Sequence, residues 1–169
     1  VAGTLADLAI DKLPGREKLE AGQFALAYDG GQLAVKGEAR LTGSPATVDL
    51  QASRRGGGAD LTVSTVLDDA ARTRRSLPAG PQLTGPIPVK VMMDLARKGG
   101  ARVEADLSKA AIDGLVPGWV KPAGRPGRLA FTLTDGDVVE LRDLSVDAGS
   151  VQMKGQLALG PSGTLDRAD

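Results

Sequence analysis

Gln32-Leu-Ala-Val-Lys-Gly-Glu-Ala-Arg-Leu41, Thr42-Gly-Ser-Pro45 and Ala46-Thr-Val-Asp-Leu-Gln-Ala52 read as two alternating runs joined by a turn. Leu33, Val35, Gly37, Ala39 and Leu41 share one phase, and Lys36, Glu38 and Arg40 share the other. Successive side chains of a strand point to opposite faces, so a period of two places apolar groups on one side of a sheet. The same period recurs over Ile87–Leu95, Val103–Leu107, Leu129–Leu133 and Val151–Leu159. Between the runs stand Asp29-Gly30-Gly31, Gly56-Gly57-Gly58, Lys98-Gly99-Gly100, Asp135-Gly136-Asp137 and Ala148-Gly149-Ser150. Gly and Asp supply the positive φ that tight hairpins need. The expectation is an all-β fold: a mostly antiparallel, twisted meander of about nine or ten strands forming an open, groove-like sheet.

One or two short helices interrupt it. Leu67–Pro78 carries Asp68 as an N-cap, Asp69 in the first turn, Arg74 and Arg75 in the last, and Pro78 as a stop. Ser108–Gly114 suits a single further turn of helix. Val116–Gly127 is too rich in Pro and Gly for regular structure.

Composition excludes more functions than it names. The 169 residues contain no His and no Cys, which removes thiolate chemistry, disulfides and the commonest general base. Lys and Arg (21) balance Asp and Glu (21), and there are four aromatics: Phe24, Tyr28, Trp119 and Phe131. Neither the charge nor the stacking capacity suits nucleic acid. The carboxylate pairs Asp68/Asp69 and Asp135/Asp137 sit at a helix start and in a turn, where caps and turns account for them. Gly56-Gly57-Gly58 lacks the Lys-Ser/Thr of a phosphate loop. No catalytic residue, metal or cofactor is expected.

Three features have two readings. The Arg72, Arg74 and Arg75 cluster is either a solvated helix face at the negative end of the dipole or a contact for lipid phosphates. Trp119 is either a plug over a sheet end or an interface anchor. The apolar strand phase, represented by Val35, Leu50, Val89, Val91, Val103, Phe131, Met153 and Leu157, either seals a filled core or lines an open trough for acyl chains. Gln32–Leu41 is echoed by Val151–Leu159, with Gly37 and Gly155 offset by 118 residues. The chain thus reads as one section of a larger repetitive protein, residues 149–169 beginning the next unit. Its terminal strands, around 3–10 and 151–159, are expected to be open edges for neighbouring repeats or a second copy.

Leu19-Glu-Ala-Gly-Gln-Phe24, Gly31–Leu41, Leu83-Thr-Gly-Pro-Ile-Pro-Val-Lys90, Ala105-Asp-Leu-Ser-Lys-Ala-Ala-Ile112 and Leu115-Val-Pro-Gly-Trp-Val-Lys-Pro-Ala-Gly124, in this order, resemble the AsmA-like family of Gram-negative envelope proteins. The last pieces are similar to its long YhdP-type branch, related to TamB. The resemblance implies a β-groove reaching across the periplasm from an inner-membrane anchor outside this chain. It implies an apolar interior that carries phospholipid toward the outer membrane, without catalysis. The alternative is a structural or protein-interaction segment of an outer-membrane assembly factor with a filled core.

Overall fold

The computed structural model describes residues 1–13, 17–54, 57–75, 82–97, 99–114, 117–134, 139–159 and 165–168. Five strands come first: β1 (Ala2–Leu13), β2 (Glu17–Asp29), β3 (Gln32–Leu41), β4 (Ser44–Ser53) and β5 (Ala59–Leu67). Helix α1 (Asp69–Arg74) follows, then β6 (Gln82–Thr84), β7 (Ile87–Asp94), β8 (Ala101–Asp106), β9 (Ala111–Asp113) and β10 (Val120–Lys121). The chain closes with β11 (Arg128–Thr134), β12 (Val139–Ala148), β13 (Val151–Leu159) and β14 (Leu165–Ala168).

Eleven of these strands form one open antiparallel sheet in the order β1-β2-β3-β4-β5-β7-β8-β11-β12-β13-β14. Each strand pairs only with its predecessor and successor in that order, which is the expected meander with a strand or two more. The remaining strands form a small sheet, β10-β9-β6. No described helix is long and apolar enough to cross a membrane.

The registers keep the apolar phase on one face throughout. Val35 lies opposite Leu50, Leu50 opposite Leu61, and Leu61 opposite Met93. Val91 faces Val103, and Val103 faces Phe131. Val89 connects through Ala105, Leu129 and Val146 to Met153, which shares the phase of Leu157. Lys36, Lys90 and Lys154 take the opposite phase and are exposed. In β12 the phase would fail without correction, since Leu141 and Leu144 are three residues apart. A bulge with Asp143 at φ 50° restores it.

Thr42 and Gly43 make the β3–β4 turn with φ 47° and 76°. Two positive φ values in a two-residue loop match the right-handed twist of a hairpin. Thr is β-branched and disfavours this region, but its hydroxyl donates to Glu17 Oε2 at 2.6 Å and accepts from the Lys18 amide at 3.2 Å.

Two buried clusters form on the apolar face. Leu19, Phe24, Ala39, Leu41, Ala46, Val48 and Val63 make the first. Phe24 lies so close over Gly37 that a Cβ there would sit 2.0 Å from the Gln23 carbonyl oxygen. Ile87, Ala105, Leu107, Ala110 and Ile112 make the second, with Leu83 and Trp119 packed against it. The small sheet thus covers the apolar face where β5, β8 and β12 end, hereafter the capped end.

α1 forms inside the expected span. The Asp68 carboxylate caps it, accepting from the Ala71 amide at 2.7 Å. The expected helix at Ser108–Gly114 does not form. Asp106 Oδ1 accepts from the Ser108 amide at 2.8 Å, and a turn bonds the Ala110 amide to the Leu107 carbonyl. The chain then extends, and Ala111–Asp113 pairs with β6 and β10. One helical turn fixes several dihedrals for a single bond, so ladder partners on both sides prevail. The expected loop holds over residues 117–127, apart from the two-residue β10, while Val116 lies outside the described residues. The last edge is also corrected: β14, not β13, is the final strand, and it covers the Leu157–Leu159 end of β13. The meander runs through residue 149 without a break. Asp135–Asp137, Gly56, Lys98, Pro78 and Gly163-Thr164 lie outside the described residues.

Candidate functional site

The apolar face is one candidate site. Among the eight positions assigned to it, Val103 is buried; Val35, Leu50, Val89, Val91, Phe131 and Leu157 are half-buried; Met153 is 36% exposed. The face is dry at the capped end, where Ala39, Leu41, Ala46 and Leu107 are 5–7% exposed. It is more open toward the other strand ends, where Leu33, Leu61, Met93 and Leu133 join the half-buried set. Apolar side chains there are within reach of solvent or of a partner.

The arginines are committed to internal partners. Arg72, with 11% side-chain exposure, donates to the carbonyls of Leu67, Gly85 and Leu83 at 2.8–3.1 Å and pairs with Asp69. It ties α1 and the approach to β7 to the end of β5. Arg75, with 7% side-chain exposure, grips Glu17 through two nitrogens, Nε to Oε1 at 2.8 Å and Nη2 to Oε2 at 3.1 Å. It also donates to the Leu41 and Ala71 carbonyls and to Ser44 Oγ. Arg74 is exposed and reaches the same Ser44 hydroxyl at 3.1 Å. Arg72 and Arg75 are therefore neither a solvated face nor a pair of free cations for headgroups, while Arg74 stays exposed. Arg72 and Arg75 form a clamp. A planar guanidinium with five donors suits such convergence better than Lys would.

Trp119 packs on the second core cluster, and its indole Nε1 donates to Ser150 Oγ at 3.1 Å, tying the loop to the β12–β13 turn. Lys121, two residues on, is only 2% exposed. Its ammonium donates to the carbonyls of Leu107 at 2.7 Å, Ala110 at 2.9 Å and Pro122 at 3.4 Å. Burial pushes its pKa down, against a smaller upward pull from Asp106. Asp106 is held below the usual carboxylate range, first by hydrogen bonds from Ser108, then by Arg128 and Lys109 nearby. Nothing local in the sequence marks Glu17 or Lys121 as structural centres. Their partners lie 58 and 14 residues away.

An open cavity of about 1200 Å³ lies at the capped end. Its lining crosses β3, β4, β5, β7, β8, β11 and β12, neighbours in the sheet. Of the apolar-face candidates only Val89 touches it, together with Trp119. The exposed part of the wall belongs to the opposite phase: Glu38, Pro45, Thr47, Val66, Lys90 and Arg128. Ala39, Ala46, Ala105 and Ala148 also line it, but at 4–6% exposure they contribute little beyond backbone. The exposed strand side chains of the cavity wall are therefore those of the wet face, while Val89 and Trp119 reach it from the apolar one. No family model, curated protein or solved structure matches this chain.

Proposed function

We propose that this chain is a non-catalytic section of a periplasmic β-groove that shields acyl chains and conducts phospholipid between inner and outer membranes. Its apolar face would continue into neighbouring repeats. The observation that supports this is an unclosed sheet of eleven strands whose aliphatic face keeps partial exposure away from the capped end. Ten interstrand spacings give that face a length of about 48 Å. Shielding a methylene fully is worth about 0.8 kcal/mol, so ten half-shielded methylenes gain about 4 kcal/mol while the headgroup stays in water. That is enough to hold a chain and little enough to let it slide.

The alternative, a protein-interaction segment with a filled core, draws support from the dry capped end, where two clusters are sealed. Mass spectrometry of organic extracts from detergent-free protein separates the two. Phospholipid should co-purify with the wild type and be lost in Leu50→Asp and Phe131→Asp variants that keep their strand circular dichroism. An extract free of lipid, with no uptake of fluorescent phospholipid from vesicles, would leave the filled core as the better reading.

A further inference from the structure

We propose that the wet-face cavity is a docking trough for a short, extended, net-neutral polypeptide segment, sharing only Val89 with the residues assigned to the acyl-chain face. Its dimensions support this. Seven neighbouring strands enclose six spacings, about 29 Å. Spread over that length, a cavity of about 1200 Å³ has a cross-section of about 41 Å². Extended polypeptide packs at 4.8 Å by 10 Å, about 48 Å² per chain, and about nine residues span 29 Å. One extended chain matches the trough.

The lining matches as well. Val66 is 47% exposed and faces Pro88 across the β5–β7 ladder, with Pro45 on the next strand. Val120, 58% exposed, belongs to the loop that lines the same cavity. Exposed aliphatic and proline side chains in a hollow of an otherwise charged face mark a contact surface rather than a solvated one. Around them Lys90, Lys121, Arg125 and Arg128 balance Glu38, Glu104, Asp106 and Asp147. Among the described residues none of these eight makes an ion pair within 4.0 Å. A wall with both signs in balance disfavours a polyanion and suits a segment bearing both signs.

The trough runs across the strands, whose backbone groups are engaged in ladders, so recognition falls to side chains rather than to strand addition. The loop is already fixed by the Lys121 ammonium and by the Trp119–Ser150 bond, so little ordering remains to oppose binding.

The test is a displayed random decapeptide library, panned on the wild-type protein and counter-selected on Val66→Asp. Binding of the selected peptides is read from the emission of Trp119, the single tryptophan of the chain. Enriched peptides should combine Pro or aliphatic residues with charges of both signs. They should shift Trp119 saturably and lose about tenfold or more in affinity in Val66→Asp and in Val120→Asp. Both substitutions sit at exposed positions and should keep the far-ultraviolet circular dichroism of the wild type, which is checked before binding is read. The proposal fails if panning enriches nothing over Val66→Asp. It fails too if selected peptides bind both variants as well as wild type. A third overturning outcome is a Trp119 response to monomeric dodecylphosphocholine and to no peptide, which would make the trough a lipid site.

Discussion

Arg75→Met removes the centre of the clamp that joins α1, the start of β2 and the β3–β4 turn. The lost partners are Glu17, the Leu41 and Ala71 carbonyls and one of two donors to Ser44, whose residue is 1% exposed. Breaking a buried pair by deleting one partner costs about 3–5 kcal/mol, because the remaining charge stays desolvated. Glu17 keeps 23% side-chain exposure and its bond from Thr42, so the lower end applies, about 3 kcal/mol. For a chain of this length, that lowers Tm by about 6–12 °C. Urea unfolding of wild type, Arg75→Met, Glu17→Gln and the double variant closes the cycle. The coupling should be about 2 kcal/mol, since Gln at position 17 no longer strands a charge. A coupling under about 0.5 kcal/mol, the range of exposed pairs, would refute the clamp and return the arginines to the solvent.

Gly37→Ala should destabilise by more than about 2 kcal/mol, since the new methyl meets the Gln23 carbonyl and Phe24; Gly3→Ala, with open space around it, should be near neutral, and paired urea titrations check both. Asp106 has a folded pKa below its unfolded value, so its contribution is present above about pH 3.9 and disappears as pH falls through the folded pKa. Stability measured from pH 5 to pH 2 should therefore fall less steeply in Asp106→Asn than in wild type. Lys121→Met should raise protease cleavage within residues 117–127 while the eleven-stranded sheet keeps its far-ultraviolet signal, as limited proteolysis would show.

Most of the sheet was legible because most strands keep a strict period of two. β3, β4, β7, β8, β11 and β13 declare themselves this way. β1, β2 and β12 do not, and each carries a bulge or register shift. In β2, Leu19 and Phe24 share a face although five residues separate them, because the pairing slips between Glu20 and Gln23. A slip reverses the apparent phase, so periodicity hides such strands. The helix was readable from Asp68 and its arginines, which are local signals. The small sheet was not, since β9 and β10 owe their extension to partners distant in sequence. The wet-face cavity was equally hidden: Pro45, Val66 and Pro88 look like three interruptions of pattern until the registers set them side by side.

The direction of travel through the sheet sets a rule of parity. The two long excursions, through α1 and β6 and then through β9 and β10, leave and rejoin at the same end because an even number of strands, β7 and β8, separates them. Adding one hairpin would lengthen the body by about 10 Å and leave both decorations on that side. Adding a single strand would send every later excursion to the opposite rim and split the cap in two. A lineage that stretches this architecture must therefore grow by pairs of strands, measuring distance in steps of about 10 Å like the divisions of a ruler.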